Sequence, residues 1–184
     1  QMLLQQMERD LARFHAANPL RVGMSREELR SRYRLKAAFF SLLLETHSAI
    51  VGQGELVRLA THHIQFTPMQ EMQIAQLMPQ MASYTPPSFA EAAQSVSEDV
   101  LRALIERGDI VQVQDDVIFA RQVYDEMVAA VLEIIDAQGA ITAKTLRDRF
   151  DTSRKYAIGL LEYLDTQGIT KRQGDERVRG RKAL

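Results

Sequence analysis

Two adjacent cations, Arg154 and Lys155, stand at the start of a helical stretch, where the positive end of the helix dipole favours acids by a few tenths to about 1 kcal/mol. The stretch reads Asp151-Thr152-Ser153-Arg154-Lys155-Tyr156, and Ala157, Leu160, Leu161 and Leu164 follow it as an apolar stripe at helical spacing. Asp151 or Thr152 is the expected N-cap. A helix start that carries extra cations suits a phosphate, and a local rule broken without local gain points to function. A solvated basic turn is the alternative. Tyr156 is either part of the core or free to stack on an unpaired base.

More cations surround this turn. Lys171-Arg172 and Arg177-Val178-Arg179 flank Gln173-Gly174-Asp175-Glu176 in a hairpin pattern. Alternation puts Lys171 and Arg172 on opposite faces, one of them capping the core edge, while Arg177 and Arg179 share a face and form the better pair. Lys144 and Arg147, on a short preceding helix, reach flanking phosphates or are solvated. A basic helix start beside a basic hairpin suits a nucleic-acid backbone, whose neutralisation supplies most of the affinity. Glu162 and Asp165 on the outer face oppose phosphates along the helix, so the helix end is the expected contact. Gly159 costs about 1 kcal/mol relative to Ala inside a helix, and either permits a close backbone approach or is merely tolerated.

Other chemistry lacks its residues. There is no GxxxxGK[ST] loop, no GxGxxG after a strand and no recognisable Ser/His/Asp context. The chain has no cysteine, so it holds no disulfide, thiol nucleophile or Cys-based zinc site. His62 and His63 are adjacent in a linker, a poor geometry for joint chelation, and His15 and His47 lie far off in sequence. Glu27-Glu28 and Asp115-Asp116 sit at a helix start and a turn, where capping and solvation account for them.

The elements that position these residues recur three times. Helical spacing predicts Met2 to Ala17, a Ser25-capped helix from Arg26 to about Tyr33, a third from about Leu35 to Glu45, then a hairpin of Ala49–Val51 and Glu55–Leu59. The same order returns as Pro68–Met81, kinked or cut short at Pro79, a Ser88-capped helix to about Gln94, a Ser97-capped helix to Arg107 and a hairpin of Ile110–Val113 and Val117–Phe119. The third copy runs Tyr124–Gln138, a Thr142-capped helix to Phe150, the helix beginning near Thr152 and ended by Gly168, and the basic hairpin. Three helices followed by a hairpin make a winged helix. The expected fold is mainly α with small β-hairpins, a tandem array of three winged-helix domains at 1–65, 66–123 and 124–184. The linkers, Thr61–Phe66 and Ala120–Val123, are short and imply a stiff array.

A net charge of −1 conceals strong segregation. Residues 1–65 carry 9 Lys/Arg against 6 Asp/Glu, residues 66–123 carry 3 against 8, and from Gly139 onward the count is 11 against 6. The basic end faces a polyanion and the acidic middle does not. In the middle copy the third helix opens Ser97-Glu98-Asp99, so the scaffold does not require cations there. The first copy has Arg32, Arg34 and Lys36 near the corresponding position, either salt-bridged or in contact with nucleic acid. No apolar run approaches the roughly 18 residues that span a bilayer, and the start does not look like a signal peptide. A first residue of Gln1 in place of Met leads us to expect a fragment.

The run from Leu146 through Asp151-Thr152-Ser153-Arg154-Lys155-Tyr156 to Ala157, with Leu160-Leu161-Glu162-Tyr163-Leu164-Asp165, resembles the last winged helix of the SelB family, the bacterial selenocysteine-specific elongation factors. Phe14-His15, Asn18-Pro19-Leu20-Arg21, Gly23-Met24 and Arg26-Glu27-Glu28-Leu29 resemble an earlier winged helix of the same family. The resemblance implies a cytoplasmic, monomeric C-terminal fragment holding the second, third and fourth of four winged helices. It implies that the last one holds an mRNA stem-loop, the selenocysteine insertion sequence (SECIS), through Thr152, Ser153, Arg154, Lys155, Tyr156 and the hairpin. GTP and magnesium would belong to an N-terminal GTPase outside this stretch, selenocysteinyl-tRNA would bind through those other domains, and this stretch would need no cofactor and catalyse nothing. Ribosome contact by the first two modules stays open. The competing readings are a DNA-binding regulator, since helix-turn-helix units read major grooves, and a protein-interaction spacer, which suits the acidic middle.

Overall fold

The apolar residues Met7 and Leu11 recur one helical turn apart and are fully buried along α1 (Met2–Ala17). The computed structural model of the chain describes residues 2–182, so Gln1, Ala183 and Leu184, at the outer edges of the expected first and last domains, lie outside the description. Residues 1–68 and 69–184 form two compact units.

In the first unit, β1 (Met24–Ser25) leads into α2 (Arg26–Arg32), whose N-cap Ser25 accepts from the Glu28 N–H at 3.5 Å. Helix α3 (Ala37–Thr46) starts two residues later than its periodicity suggests, after Lys36, which makes no side-chain cap. Strands β2 (Ile50–Gln53) and β3 (Leu56–Leu59) form the expected hairpin, and β1, too short to be read from sequence, completes a sheet of order β1-β3-β2. Met24 lies opposite Val57, and Ile50 opposite Leu59. Met7, Leu11, Met24, Leu29, Phe40, Ile50 and Val57 make the core between helices and sheet.

The second unit begins with α4 (Pro68–Met81), which continues two residues past Pro79. Helix α5 (Phe89–Val96) opens on a full capping box. The Ser88 hydroxyl oxygen accepts from the Glu91 N–H at 3.3 Å, and the Glu91 carboxylate accepts from the Ser88 N–H at 2.8 Å. Then come α6 (Glu98–Arg107), capped by Ser97 and ended by Gly108, and the hairpin β4 (Ile110–Gln114) and β5 (Val117–Ala120). Its register shifts between Gln112 and Gln114.

No loop follows that hairpin. Helix α7 (Arg121–Gln138) starts on the residue after β5, so the linker expected at Ala120–Val123 is strand end and helix start. Gly139, at φ 86°, ends it with an N–H to the Ile135 carbonyl at 2.7 Å. β6 (Ile141–Thr142), α8 (Ala143–Phe150), α9 (Arg154–Thr166), β7 (Thr170–Gln173) and β8 (Glu176–Arg179) complete the third winged helix, with sheet order β6-β8-β7. The middle and last winged helices share their packing. Helix α7 touches β4 and β5 of the middle winged helix and β6 and β8 of the last, and the β4–β5 hairpin lies against α9. Phe119, Ile118, Leu160 and Leu161 are fully buried, each contributing about 1.5–3 kcal/mol by burial.

Candidate nucleic-acid interface

Thr142 sets the geometry of the last winged helix by accepting from the Thr145 N–H at 3.1 Å, which starts α8 with Lys144 and Arg147 one turn apart. Asp151 then takes the left-handed conformation, φ 47° and ψ 43°, as the C-cap of α8. Asp151 and Thr152 therefore do not cap α9, as the sequence suggested. Its N-cap is Ser153, which makes no side-chain capping bond, and no acid lies in the first turn.

Arg154, Ile158 and Glu162 follow one another at four-residue spacing along α9 and line a cleft of about 420 Å³. Lys144 and Arg147 enter from α8, Arg172 from β7, Arg177 from β8 and Asp175 from the turn. Five cations from four elements thus face two carboxylates. Arg154 and Lys144 are exposed, and their side chains have no hydrogen bond or ion pair among the described residues. Arg172 donates through Nε to the Gly174 carbonyl at 3.0 Å, and Arg147 pairs with Asp148 at 2.6 Å.

Arg177 has a different role. It is only 4% exposed, and its Nε donates to Asp165 Oδ2 at 3.2 Å. The expectation of an exposed Arg177–Arg179 pair fails because β8 is the central strand, flanked by Ile141 on one side and Arg172 on the other at the Arg177 position. Asp165, expected on the outer face, instead receives Arg177 and the Thr170 hydroxyl, the latter at 2.6 Å. Arg179 is exposed and pairs with Asp136 at 3.0 Å, while Lys171 is exposed; neither lines the cleft.

Thr152, Lys155 and Tyr156 of the same stretch face the middle winged helix. The buried Thr152 hydroxyl donates to the Tyr84 carbonyl and shares a hydrogen bond with the Thr85 hydroxyl at 3.1 Å. Tyr156 is core. It is 7% exposed, its hydroxyl donates to the Pro86 carbonyl, and its ring stands edge-on to Phe119 with centroids 5.7 Å apart. Burial pushes its phenol above the ordinary range. Lys155 Nζ donates to Asp116 Oδ2 at 2.7 Å, which raises the pKa of the ammonium and lowers that of the carboxyl. Ser153 is exposed between the two sides. Gly159 proves to be a close-approach position, buried beneath Gln114, whose Oε1 would lie 3.2 Å from an added Cβ.

In the first winged helix the basic residues divide likewise. Arg32 pairs with Glu28 at 3.0 Å and Asp10 at 3.4 Å, whereas Arg34 and Lys36 have no ion pair among the described residues. The fold also brings together histidines that the sequence holds apart. His15 and His62 stack with centroids 3.6 Å apart, and burial, then His62, then Arg58 lower the His15 pKa to about 4. No group of three potential metal ligands occurs among the described residues.

Fold and cleft together define a tandem winged-helix protein whose last module presents a cationic groove between helix start and wing. Residues 2–59 and 133–179 each match a family model described as "Elongation factor SelB, winged helix". The two stretches take in more than half of the chain, which belongs to the SelB winged-helix family. The selenocysteine-specific elongation factor of Desulfomicrobium baculatum is 27% identical over 180 residues, 91% of this chain and 28% of that relative's length. The mRNA-binding domain of SelB from E. coli, solved in complex with SECIS RNA, has a TM-score of 0.53 at 23% identity, covering 62% of this chain and 99% of that one. A bacterial selenocysteine-specific elongation factor, EF-Sec, gives 0.51 at 17% identity over 96% of this chain and 30% of that one. At these identities both structures bear on the fold alone.

Proposed function

We propose that this chain is the mRNA-hairpin-binding region of a selenocysteine-specific elongation factor, and that the cleft of its last winged helix grips the backbone of a selenocysteine insertion hairpin. The carrying observation is the convergence of Lys144, Arg147, Arg154 and Arg172 on one groove, with Arg154 and Lys144 unpaired. Both are available to phosphate at no cost in broken ion pairs. The family supports a stem-loop as the ligand, and the E. coli SelB domain that shares the fold was solved with SECIS RNA. The chain spans 28% of the length of its curated relative, so GTP hydrolysis and delivery of selenocysteinyl-tRNA at a UGA codon are assigned to the rest of such a factor. This region serves as a monomeric tether without a cofactor of its own. Among the described residues no helix is long and apolar enough to cross a membrane.

The test is titration of a labelled selenocysteine-insertion RNA hairpin at several salt concentrations. Replacing Lys144 and Arg154 together by Ala removes two phosphate contacts, each worth about 0.7–0.9 in the slope of log K against log salt, so the slope should fall by about 1.5. Unchanged affinity and slope would sink the assignment. Equal competition by random duplex DNA would reduce it to backbone binding without preference for the hairpin.

A further inference from the structure

Two residues of the middle winged helix, outside the cleft, each hold a residue of α9. Asp116 accepts from Lys155 Nζ at 2.7 Å, and the Gln114 amide donates to Glu162 Oε2 at 2.7 Å. These contacts span two turns of the helix that begins with Arg154. Between them Gly159 is buried, with Gln114 Oε1 at 3.2 Å and Val117 Cγ1 at 3.6 Å from the position of an added Cβ. Just before the helix, Thr152 is bonded to Tyr84 and Thr85.

Successive helical residues point about 100° apart, so neighbours in sequence can serve different surfaces. Arg154 and Ile158 face the cleft, Lys155, Tyr156 and Gly159 face the middle winged helix, and Glu162 lines the cleft while its carboxylate reaches back to Gln114. A site works when its side chains are held to about half an ångström by packing and hydrogen bonds behind them. We propose that Asp116 and Gln114 are positioning residues of the hairpin site. The middle winged helix braces α9 so that Arg154 enters the cleft, and Lys155 is the strut of that brace instead of a phosphate ligand. The acidic middle module is then a working part of the RNA site. This rests on the reading of the cleft given above.

The test uses the whole chain and the same labelled RNA hairpin, with two independent readouts. Both brace contacts are exposed at both ends, so the single variants have modest effects. Asp116→Asn and Lys155→Gln should each weaken hairpin binding about three- to fivefold without changing the salt slope, and combining them should add nothing. Gln114→Ala with Asp116→Asn should reach about tenfold, and amide exchange at residues 157–161, where the hydrogen bonds of α9 begin with Ala157 N–H to the Ser153 carbonyl, should speed up in each variant. The brace is overturned if Asp116→Asn leaves affinity unchanged or raises it while Lys155→Gln lowers the slope by about one, since Lys155 would then be a phosphate ligand. If the unaltered chain does not bind the hairpin, the proposed function falls. The exchange rates then decide the brace alone, and unchanged protection at residues 157–161 overturns it.

Discussion

Arg177→Met should destabilise the second unit by about 2–3 kcal/mol, although arginines in hairpins are ordinarily replaceable. The substitution removes a charge-assisted hydrogen bond to Asp165, of a kind worth about 1.5–3 kcal/mol. It also strands the carboxylate. Breaking one side of a buried pair costs about 3–5 kcal/mol in general. Here Asp165 keeps the Thr170 hydroxyl at 2.6 Å and 20% of its side-chain exposure, which lowers the figure. Tyr84, Tyr124, Tyr156 and Tyr163 lie in the second unit and only Tyr33 in the first, so near-ultraviolet circular dichroism follows the unit that matters. With a urea dependence of about 1–3 kcal/mol per molar, the midpoint should fall by about 1–2 M. Arg179→Met is the control. Its partner Asp136 is 54% exposed, and such pairs contribute about 0–1 kcal/mol. An Arg177→Met shift no larger than that of Arg179→Met would refute the structural assignment and return Arg177 to the surface.

Acid should loosen the first unit. Burial depresses the His15 pKa from 6.5 to about 4, so the unfolded chain takes up a proton near 6.5 that the folded one refuses. The contribution, about 1–3 kcal/mol after allowance for screening, is complete above pH 6.5 and lost as pH falls through the window to about 4. His15→Gln, which can still accept from the Leu59 N–H, should flatten the pH dependence of the urea midpoint followed at Leu11 and Val57 methyl resonances; an unchanged profile would place the effect elsewhere. Gly159→Val should cost about 1–3 kcal/mol by overpacking against Gln114 and Val117, measured by the same tyrosine signal. A variant as stable as the parent would mean that the hairpin of the middle module yields freely.

The element order was legible because capping residues and apolar spacing are local signals. Ser88, Ser97 and Thr142 cap the helices that their positions announce, and Gly108 and Gly139 end theirs. The two-residue strands β1 and β6 were not legible, because each owes its existence to pairing with a hairpin more than thirty residues away, at Val57 and Arg177. The start of α9 was misplaced because Asp151, a good capping residue, also tolerates the left-handed conformation and here ends the preceding helix. Lys144, Arg147, Arg154 and Arg172 were found by charge, and the cleft does gather them. Charge alone could not separate them from Arg177, whose burial depends on a strand order that only the folded sheet defines. The division between Arg154 and Lys155 was accessible in principle, since adjacent helical residues point about 100° apart and can serve different surfaces.

The third helices of the middle and last modules show why that division matters. Helix α6 opens in the favourable way, with Ser97 capping and Glu98 and Asp99 in the first turn. Helix α9 has neither a capping bond nor a first-turn acid, omissions that each cost about 1 kcal/mol or less. The compensation comes from the neighbouring module. Asp116 neutralises Lys155, Pro86 accepts from buried Tyr156, and the Thr152 hydroxyl reaches the Tyr84 carbonyl just ahead of the helix. A helix start stabilised by its own acids would offer a phosphate a negative surface. One stabilised from the side facing its neighbour keeps its other side cationic, and that side is where Arg154 stands without a partner.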